Sequence, residues 1–274
     1  MKRLIIRPGA IGDFIVSIPA IECLRTAYLE IWTAGRNVPL ARVLAQRARS
    51  IADTGLDLLE VSGPQPWLLD RLRQFDSIVS WYGANRAEFR EAATALRLPM
   101  RFFPALPSAG CGTHAVDFYL DQARTLAACA SDGIPRIPCG AVRGNGAAIH
   151  PFAGSAGKRW PLERFEELAQ RLAHRLPVEW CAGHQDELPG ARRFDDLHEL
   201  ARWLAGARVY IGNDSGPTHL AAAVGTPVVA LFGPSDPAVW APRGPRVMVA
   251  AAPTLDAIEV TEVENLVWDA AGML

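Results

Sequence analysis

The chain has 274 residues, half of them hydrophobic, and a formal net charge of -1 at pH 7. This length and hydrophobic content allow a large buried core and fit two compact units of ordinary size. The near-neutral charge argues against a nucleic-acid partner, which usually requires a strongly basic face.

The cysteines and the apolar runs of the sequence indicate the cellular compartment of the protein. The five cysteines are scattered, with no pair at the spacing of a metal site, which predicts reduced thiols and a cytoplasmic protein. We expect no secretory signal, because Arg7, Pro8 and Asp13 interrupt the first apolar run. No stretch approaches the ~20 apolar residues of a membrane span. Any membrane contact is expected to be peripheral, at the inner face of the inner membrane.

The first half alternates short apolar strands with helical patterns. A strand over 4–6 leads through the glycine-containing turn 8–13 into a helix over 14–26. Further strands are predicted at 29–33, 58–61 and 77–81, and further helices at 39–49, 67–74, 87–96 and 115–130. Such alternation predicts a parallel sheet with helices on its faces.

The second half repeats this layout after a stretch rich in proline and glycine, 131–146, which we interpret as a linker. A strand at 147–150, a glycine-rich turn at 151–158 and a helix at 162–175 mirror the opening. Later strands are predicted at 178–181, 209–211 and 227–232, and later helices at 197–205, 218–224 and 260–268. We therefore predict two Rossmann-like domains, 1–138 and 139–274, with the final helix able to pack back on the first domain. Ligands of such sheets bind at the carboxyl ends of strands.

The strongest chemical pattern is the turn Gly212-Asn213-Asp214-Ser215-Gly216-Pro217 between a buried strand and a helix. The first turn of a helix presents unpaired N–H groups and a positive dipole end, which favour an anion such as a diphosphate. Ser215 can donate a hydrogen bond, Gly216 permits close approach, and His219 lies in the first helical turn. The alternative is that Asp214 and Ser215 only cap the helix.

A second pattern, Gly154-Ser155-Ala156-Gly157-Lys158-Arg159-Trp160-Pro161, also lies between a strand and a helix. Lys158 can place a point charge on a phosphate. The stretch does not match the P-loop pattern, because Arg159 stands where a serine or threonine is needed. Alternatively, Lys158 and Arg159 are solvated surface charges.

A third pattern is Gly9-Ala10-Ile11-Gly12-Asp13. It is too short for the dinucleotide fingerprint, and no acidic residue closes the second strand, so NAD binding is disfavoured. Asp13 is a candidate general base that removes a proton from an incoming hydroxyl. The alternative role is the N-cap of the following helix.

Together these segments resemble the heptosyltransferases, the ADP-heptose:lipopolysaccharide transferases grouped as glycosyltransferase family 9. The blocks that carry the resemblance are 5–13 with 17–20, 150–155 with 158–161, and 212–223 with 231–237. The resemblance implies an α/β fold of the GT-B architecture, with two Rossmann-like domains facing across a cleft. The first domain would bind the acceptor and the second the nucleotide sugar, and transfer would invert the anomeric carbon.

The resemblance also implies roles for individual residues. Asp13 would be the general base, and Lys158 would neutralise the departing diphosphate. The donor would be bound by Gly154, Ser155, Lys158, Asp214, Ser215, Gly216, Thr218 and His219. Asp186 or Glu187 would hold the ribose, because the stretch here departs from the family's Gly-Gly-Pro-x-Glu pattern, and the adenine would lie against 195–197, including Leu197. Gly12 would lie on the acceptor side. Arg7 and Arg86 are predicted there as basic residues that meet an anionic core sugar or phosphate; the alternative is that each is a solvated helix residue.

We therefore expect an inverting, metal-independent transferase without a cofactor, since the sequence has no Asp-x-Asp pattern. Its partners would be a nucleotide-sugar donor, most simply ADP-heptose, and a lipopolysaccharide core or another glycan or lipid-linked glycan acceptor. Two alternatives stay open. One is an epimerase or hydrolase of nucleotide sugars that needs no acceptor. The other is a binding protein without catalysis.

Overall fold

The computed structural model describes residues 1–108, 110, 112–140 and 144–273. The chain divides into two compact units. Unit 1 is Met1–Cys111 with Ala115–Ser131, and unit 2 is Gly112–His114 with Asp132–Leu274. The sequence-based boundary after residue 138 lies slightly beyond this division. The stretch in between is tied to unit 2, since the Ile137 N–H donates to the Ala223 carbonyl at 2.9 Å.

Unit 1 is a five-stranded parallel sheet with strand order β3-β2-β1-β4-β5. Its strands are β1 (Lys2–Arg7), β2 (Tyr28–Thr33), β3 (Arg47–Ser50), β4 (Ser77–Ser80) and β5 (Met100–Phe102). Its helices are α1 (Ile11–Val16), α2 (Ile18–Cys23), α3 (Val38–Leu44), α4 (Pro66–Leu72), α5 (Ala87–Ala95) and α6 (Ala115–Arg124). The central strand β1 is buried over five of its six residues, as expected for a parallel sheet covered on both faces.

Unit 2 is also a five-stranded parallel sheet, but its strand order is β10-β9-β8-β6-β7. Its strands are β6 (Ala147–His150), β7 (Val178–Trp180), β8 (Val209–Asn213), β9 (Val228–Phe232) and β10 (Val247–Ala251). Its helices are α7 (Leu162–Leu172), α8 (Leu197–Ala205), α9 (Gly216–Ala223), α10 (Pro237–Trp240) and α11 (Val260–Ala270). The final helix α11 packs within unit 2, on α7 and the strands β8 to β10.

Four predicted elements of unit 1 differ from the structure. One differs only in length, since the helix predicted over 115–130 ends at Arg124. The helix over 14–26 is two short helices that meet at Ser17, whose hydroxyl donates to the Phe14 carbonyl at 2.7 Å. The helix over 39–49 ends at Leu44, and its last residues form the edge strand β3. The strand at 58–61 is wrong, because this segment is the end of a 3-10 helix followed by a turn, with Val61 78% exposed. An apolar run without a partner strand cannot form a strand.

The cysteines also differ from the prediction of five reduced thiols. Cys23 at the end of α2 and Cys129 beyond the end of α6 form a disulfide, with their Cα atoms 5.2 Å apart. The two cysteines are 106 residues apart in the chain, and they meet because α2 packs on α6. Spacing along the sequence could not reveal this pair.

Within the described ranges of the chain, no helix is both long enough and apolar enough to span a lipid bilayer.

Candidate functional site

The predicted site residues follow the strands that lie beside the point where the strand order of each sheet reverses. In unit 2 the chain passes from β6 to β7 on one side and then crosses to β8 on the other. In unit 1 the corresponding change lies between β1 and β4. Ligands of open parallel sheets bind at the carboxyl ends of strands beside such a switch point. Lys158 follows β6, Asp214 follows β8 and Asp13 follows β1.

The structure joins the two predicted anion-binding turns of unit 2 through an ion pair. Lys158 Nζ lies 2.6 Å from Asp214 Oδ2. The lysine side chain is 39% exposed, whereas the aspartate side chain is only 10% exposed. The pair thus fixes the ammonium group at the start of α9 while leaving it open to solvent.

Asn213, the last residue of β8, holds both ends of the loop that carries Lys158. Its side chain is fully buried. Asn213 Oδ1 accepts from the Trp160 N–H at 2.9 Å, and Nδ2 donates to the Pro151 carbonyl at 2.8 Å. No individual role for Asn213 is predicted from the sequence. The available clue was a polar amide that closes a strand of otherwise buried residues.

The start of α9 offers two backbone donors. Pro217 has no N–H, and the N–H groups of Thr218 and His219 both donate to the Ser215 carbonyl, at 3.1 and 3.3 Å. Among the described residues, the N–H groups of Ser215 and Gly216 have no hydrogen-bond partner in the protein. These two donors and the positive end of the helix dipole can bind an anion.

Two other predicted donor ligands at this turn are buried. Thr218 is fully buried, and its hydroxyl donates to the Asn213 carbonyl and lies 3.1 Å from Ser215 Oγ. His219 is 6% exposed. The Thr218 side chain therefore supports the turn from inside rather than facing a ligand. Gly154 and Ser155, in contrast, are exposed on the Lys158 loop.

His150, the last residue of β6, is a buried neutral group at this edge of the sheet. Burial lowers the pKa of its imidazole to about 4, and the negative charge of Asp186 opposes part of that effect. Among the described residues, Nδ1 has no hydrogen-bond partner. A buried imidazole with an unsatisfied nitrogen can bind a polar group of a ligand.

The two ribose candidates have different surroundings. Asp186 Oδ2 accepts from the Gly183 N–H at 3.1 Å, and Oδ1 lies 3.8 Å from the Arg159 guanidinium. Glu187 is exposed. Leu197, predicted to face the adenine, is the first residue of α8 and is partly buried.

Asp13 of unit 1 bonds to the start of its own helix and keeps part of its side chain exposed. It is the third residue of α1, and its Oδ2 accepts from the Ala10 N–H at 3.2 Å. The carboxylate therefore caps the helix without being the N-cap residue itself. Asp13 and its neighbour Gly12 remain partly exposed, so the carboxylate is also open to an incoming hydroxyl.

The two arginines predicted on the acceptor side are engaged by the protein. Arg7 is 2% exposed, and its guanidinium donates to the Pro8 and Asp13 carbonyls and to the Tyr119 hydroxyl. Arg86 forms an ion pair with Glu60, with its side chain 33% exposed. A direct contact with an acceptor does not fit Arg7, because its guanidinium is buried and both terminal nitrogens donate to groups within unit 1.

Across residues 1–108, 110, 112–140 and 144–273, no group of three or more histidines, cysteines or acidic residues is placed to hold a metal ion.

Comparison with known proteins gives a family match. The model of glycosyltransferase family 9 (heptosyltransferase) matches residues 112–266. Lipopolysaccharide heptosyltransferase 1 of Escherichia coli O18:K1:H7 is 33% identical over 119 residues. That alignment covers 38% of this chain and 36% of the relative, so the match extends over about a third of the relative's length.

Two solved structures share the fold over almost the whole chain. E. coli heptosyltransferase WaaC with ADP matches with a TM-score of 0.73 and 17% identity, covering 98% of this chain and 100% of that one. A family 9 glycosyltransferase from Veillonella parvula matches with a TM-score of 0.78 and 17% identity, covering 100% of this chain and 98% of that one. At this identity the likeness shows the fold alone, and it confirms the predicted α/β GT-B class.

Proposed function

This chain belongs to glycosyltransferase family 9, the heptosyltransferases, and from that membership we propose that it transfers heptose from ADP-heptose to a hydroxyl of a lipopolysaccharide core or related glycan. One observation supports the donor side above all. An exposed ammonium and two unpaired backbone N–H groups meet at the switch point of the unit 2 sheet. This arrangement suits the diphosphate of a nucleotide sugar.

On the donor side, Lys158 would leave Asp214 and bind the diphosphate as the glycosidic bond breaks. The N–H groups of Ser215 and Gly216 would add hydrogen bonds to the same oxygens. Positive charge placed where negative charge develops stabilises the transition state. Asp186 is the better placed of the two ribose candidates, since its charge acts on His150 at the end of β6.

On the acceptor side, Asp13 would be the general base. The acceptor oxygen attacks the anomeric carbon as the bond to the diphosphate breaks, which inverts that carbon. The hydroxyl proton passes to Asp13, and ADP leaves. Oδ2 already accepts from the Ala10 N–H, which leaves Oδ1 for an incoming hydroxyl. Oδ1 is therefore the oxygen proposed to take the proton.

The experiment is an ADP-release assay with ADP-heptose, run with and without truncated lipopolysaccharide core acceptors. We expect release to depend on the acceptor and Asp13→Asn to lower kcat by about 10²- to 10⁴-fold. ADP affinity, measured by calorimetry, should be unchanged. Asp121→Asn, at an exposed carboxylate of unit 1, is the matched control. Equal release without acceptor would instead favour an epimerase or hydrolase, and tight ADP binding without turnover would favour a binding protein.

We further propose that transfer needs no metal, because Lys158 and the start of α9 can neutralise the leaving diphosphate. Incubation with EDTA should leave the rate unchanged. Loss of activity on chelation, with recovery after magnesium is added, would contradict this part of the proposal alone.

A further inference from the structure

We propose that Arg7 is a positioning residue for the reaction: its buried guanidinium, anchored by Tyr119, holds the turn that presents Asp13. The inference rests on the proposed function, in which Asp13 is the general base. It assigns Arg7 a role different from direct contact with an acceptor.

The guanidinium closes the turn between β1 and α1. Arg7 is the last residue of β1. Its Nη1 donates to the Pro8 carbonyl at 2.7 Å, and its Nη2 donates to the Asp13 carbonyl at 2.7 Å. One rigid, planar group therefore binds the first and last residues of the segment from Pro8 to Asp13. The hydrogen bonds go to the backbone of Asp13, so they leave its carboxylate free for the acceptor.

Tyr119 anchors the guanidinium from α6. Its hydroxyl accepts from Arg7 Nη2 at 2.7 Å and donates to the Ala105 carbonyl at 2.5 Å. The guanidinium carbon also lies 4.8 Å from the centre of the Tyr119 ring, a cation–π distance. Burial raises the pKa of Tyr119 to about 12, so the hydroxyl keeps its proton at neutral pH. The arginine is thus fixed to the body of unit 1.

Gly9 shows how closely the turn packs against the arginine. Its φ of +131° lies in a region that favours glycine. A Cβ atom at this position would lie 3.3 Å from Arg7 Nη1 and 3.2 Å from Asp13 Cβ. On its other side, Asn37 Nδ2 donates to the Gly9 carbonyl at 3.1 Å. The turn is therefore held from two sides, with little room to shift.

Such restraint matters because a general base must lie within hydrogen-bond reach of the proton that it removes. A displacement of about 1 Å can lower a rate by about 100-fold. Loss of the guanidinium would free both ends of the turn and allow Asp13 to move. It would leave the donor groups of unit 2 unchanged.

Arg3 provides a matched control on the same strand. It is also buried, at 6% exposure, and its Nη1 donates to the Leu24 carbonyl at 2.7 Å. It lies near the start of β1, away from the turn that carries Asp13. Arg3→Ala removes a buried guanidinium and a similar hydrogen bond without touching that turn.

The experiment compares Arg7→Ala, Tyr119→Phe and Arg3→Ala. For Arg7→Ala we expect kcat to fall about 100-fold while ADP affinity stays within about twofold, since the lost contacts are all in unit 1. Tyr119→Phe should give a smaller fall of about tenfold, because it removes one of the three partners of the guanidinium. Methylguanidinium should restore part of the kcat of Arg7→Ala. Folded Arg3→Ala protein should have the kcat of the wild type.

Hydrogen exchange supplies a readout that needs no acceptor. Backbone amides over residues 8–16 should exchange faster in Arg7→Ala and Tyr119→Phe, but not in Arg3→Ala. Equal losses of kcat in Arg7→Ala and Arg3→Ala, or unchanged exchange over this segment, would overturn the inference. If Arg7→Ala does not fold, Tyr119→Phe carries the same test. Full activity of Asp13→Asn would instead show that the proposed general base is wrong, whatever Arg7 does.

Discussion

The two turns proposed to carry out the chemistry are held by different kinds of side chain. In unit 1 a charged arginine binds both ends of the Asp13 turn. In unit 2 a neutral amide, Asn213, binds both ends of the Lys158 loop. The buried side chain that binds both ends of the loop presenting an anion is a cation, whereas the buried side chain that binds both ends of the loop presenting a cation is neutral. A second buried cation next to Lys158 would compete for the same anion and add a desolvation cost.

The sheets behind these turns differ as well. In unit 1 two strands, β2 and β3, lie on one side of β1 before the chain crosses to β4 on the other side. In unit 2 only β7 lies on one side of β6 before the chain crosses to β8. The Asp13 turn follows one strand, whereas the donor groups follow two adjacent strands and are joined by the Lys158–Asp214 ion pair. Similar strand–turn–helix patterns in the sequence therefore build sites with different layouts.

The largest effect that separates the two turns is expected for Lys158→Ala. Transfer should fall by about 10²- to 10³-fold, as for removal of one group that stabilises developing negative charge. ADP affinity should fall as well, in contrast to Asp13→Asn. Steady-state rates and calorimetric titration with ADP measure both quantities.

Lys2 is the natural control for this variant, because Lys2 and Lys158 are the only lysines in the sequence. Lys2 is exposed at the start of β1, and Lys2→Ala should leave rate and ADP affinity unchanged. A Lys158→Ala variant with normal ADP affinity would show that the donor does not use this ammonium.

The next effect is a pH dependence of stability that arises from His150 of unit 2. His150 has its pKa lowered from 6.5 to about 4 by burial. The folded state therefore binds fewer protons than the unfolded state between these values. The stability that this group contributes is complete above pH 6.5 and is lost as the pH falls towards 4. The loss should reach roughly 2 kcal/mol by pH 5.

Urea unfolding at pH 7.5 and pH 5, followed by hydrogen exchange of β6, measures this loss. In His150→Asn the difference between the two pH values should shrink by that amount. His174, an exposed histidine of the same unit, is the control, and His174→Asn should keep the wild-type difference. An unchanged difference in His150→Asn would assign the acid sensitivity to other groups.

The smallest effect is expected for Asn213→Ala. It leaves the Trp160 N–H and the Pro151 carbonyl unpaired in a buried place, at a cost of about 1–3 kcal/mol in the free energy of unfolding. Because the freed loop carries Lys158, ADP affinity should also decrease, by about tenfold. Asn145→Ala, at an exposed position of unit 2, should change neither quantity. A loss of stability with unchanged ADP affinity would limit Asn213 to a structural role.

Several elements could be predicted because their patterns are local. The buried strand β9 is a continuous apolar run, β6 is apolar up to its last residue, His150, and α8 has the bounds predicted from its periodicity. The edge strand β10 was not predicted, and 58–61 was wrongly assigned as a strand. Edge strands depend on whether a partner strand lies beside them, and that depends on the path of the whole chain. The Cys23–Cys129 disulfide depends on helix packing in the same way.

The sequence by itself determined the family resemblance, the α/β class and the three turns, because glycines, helix starts and strand ends are encoded by neighbouring residues. Only the tertiary structure decided what each side chain contacts within those turns. Arg7 looked like an acceptor contact until its burial against Tyr119 was visible, and Asn213 had no predicted role at all. Their partners lie up to 112 residues away in the chain. Burial and hydrogen-bond partners at that separation are properties of the packed fold, and local sequence patterns do not specify them.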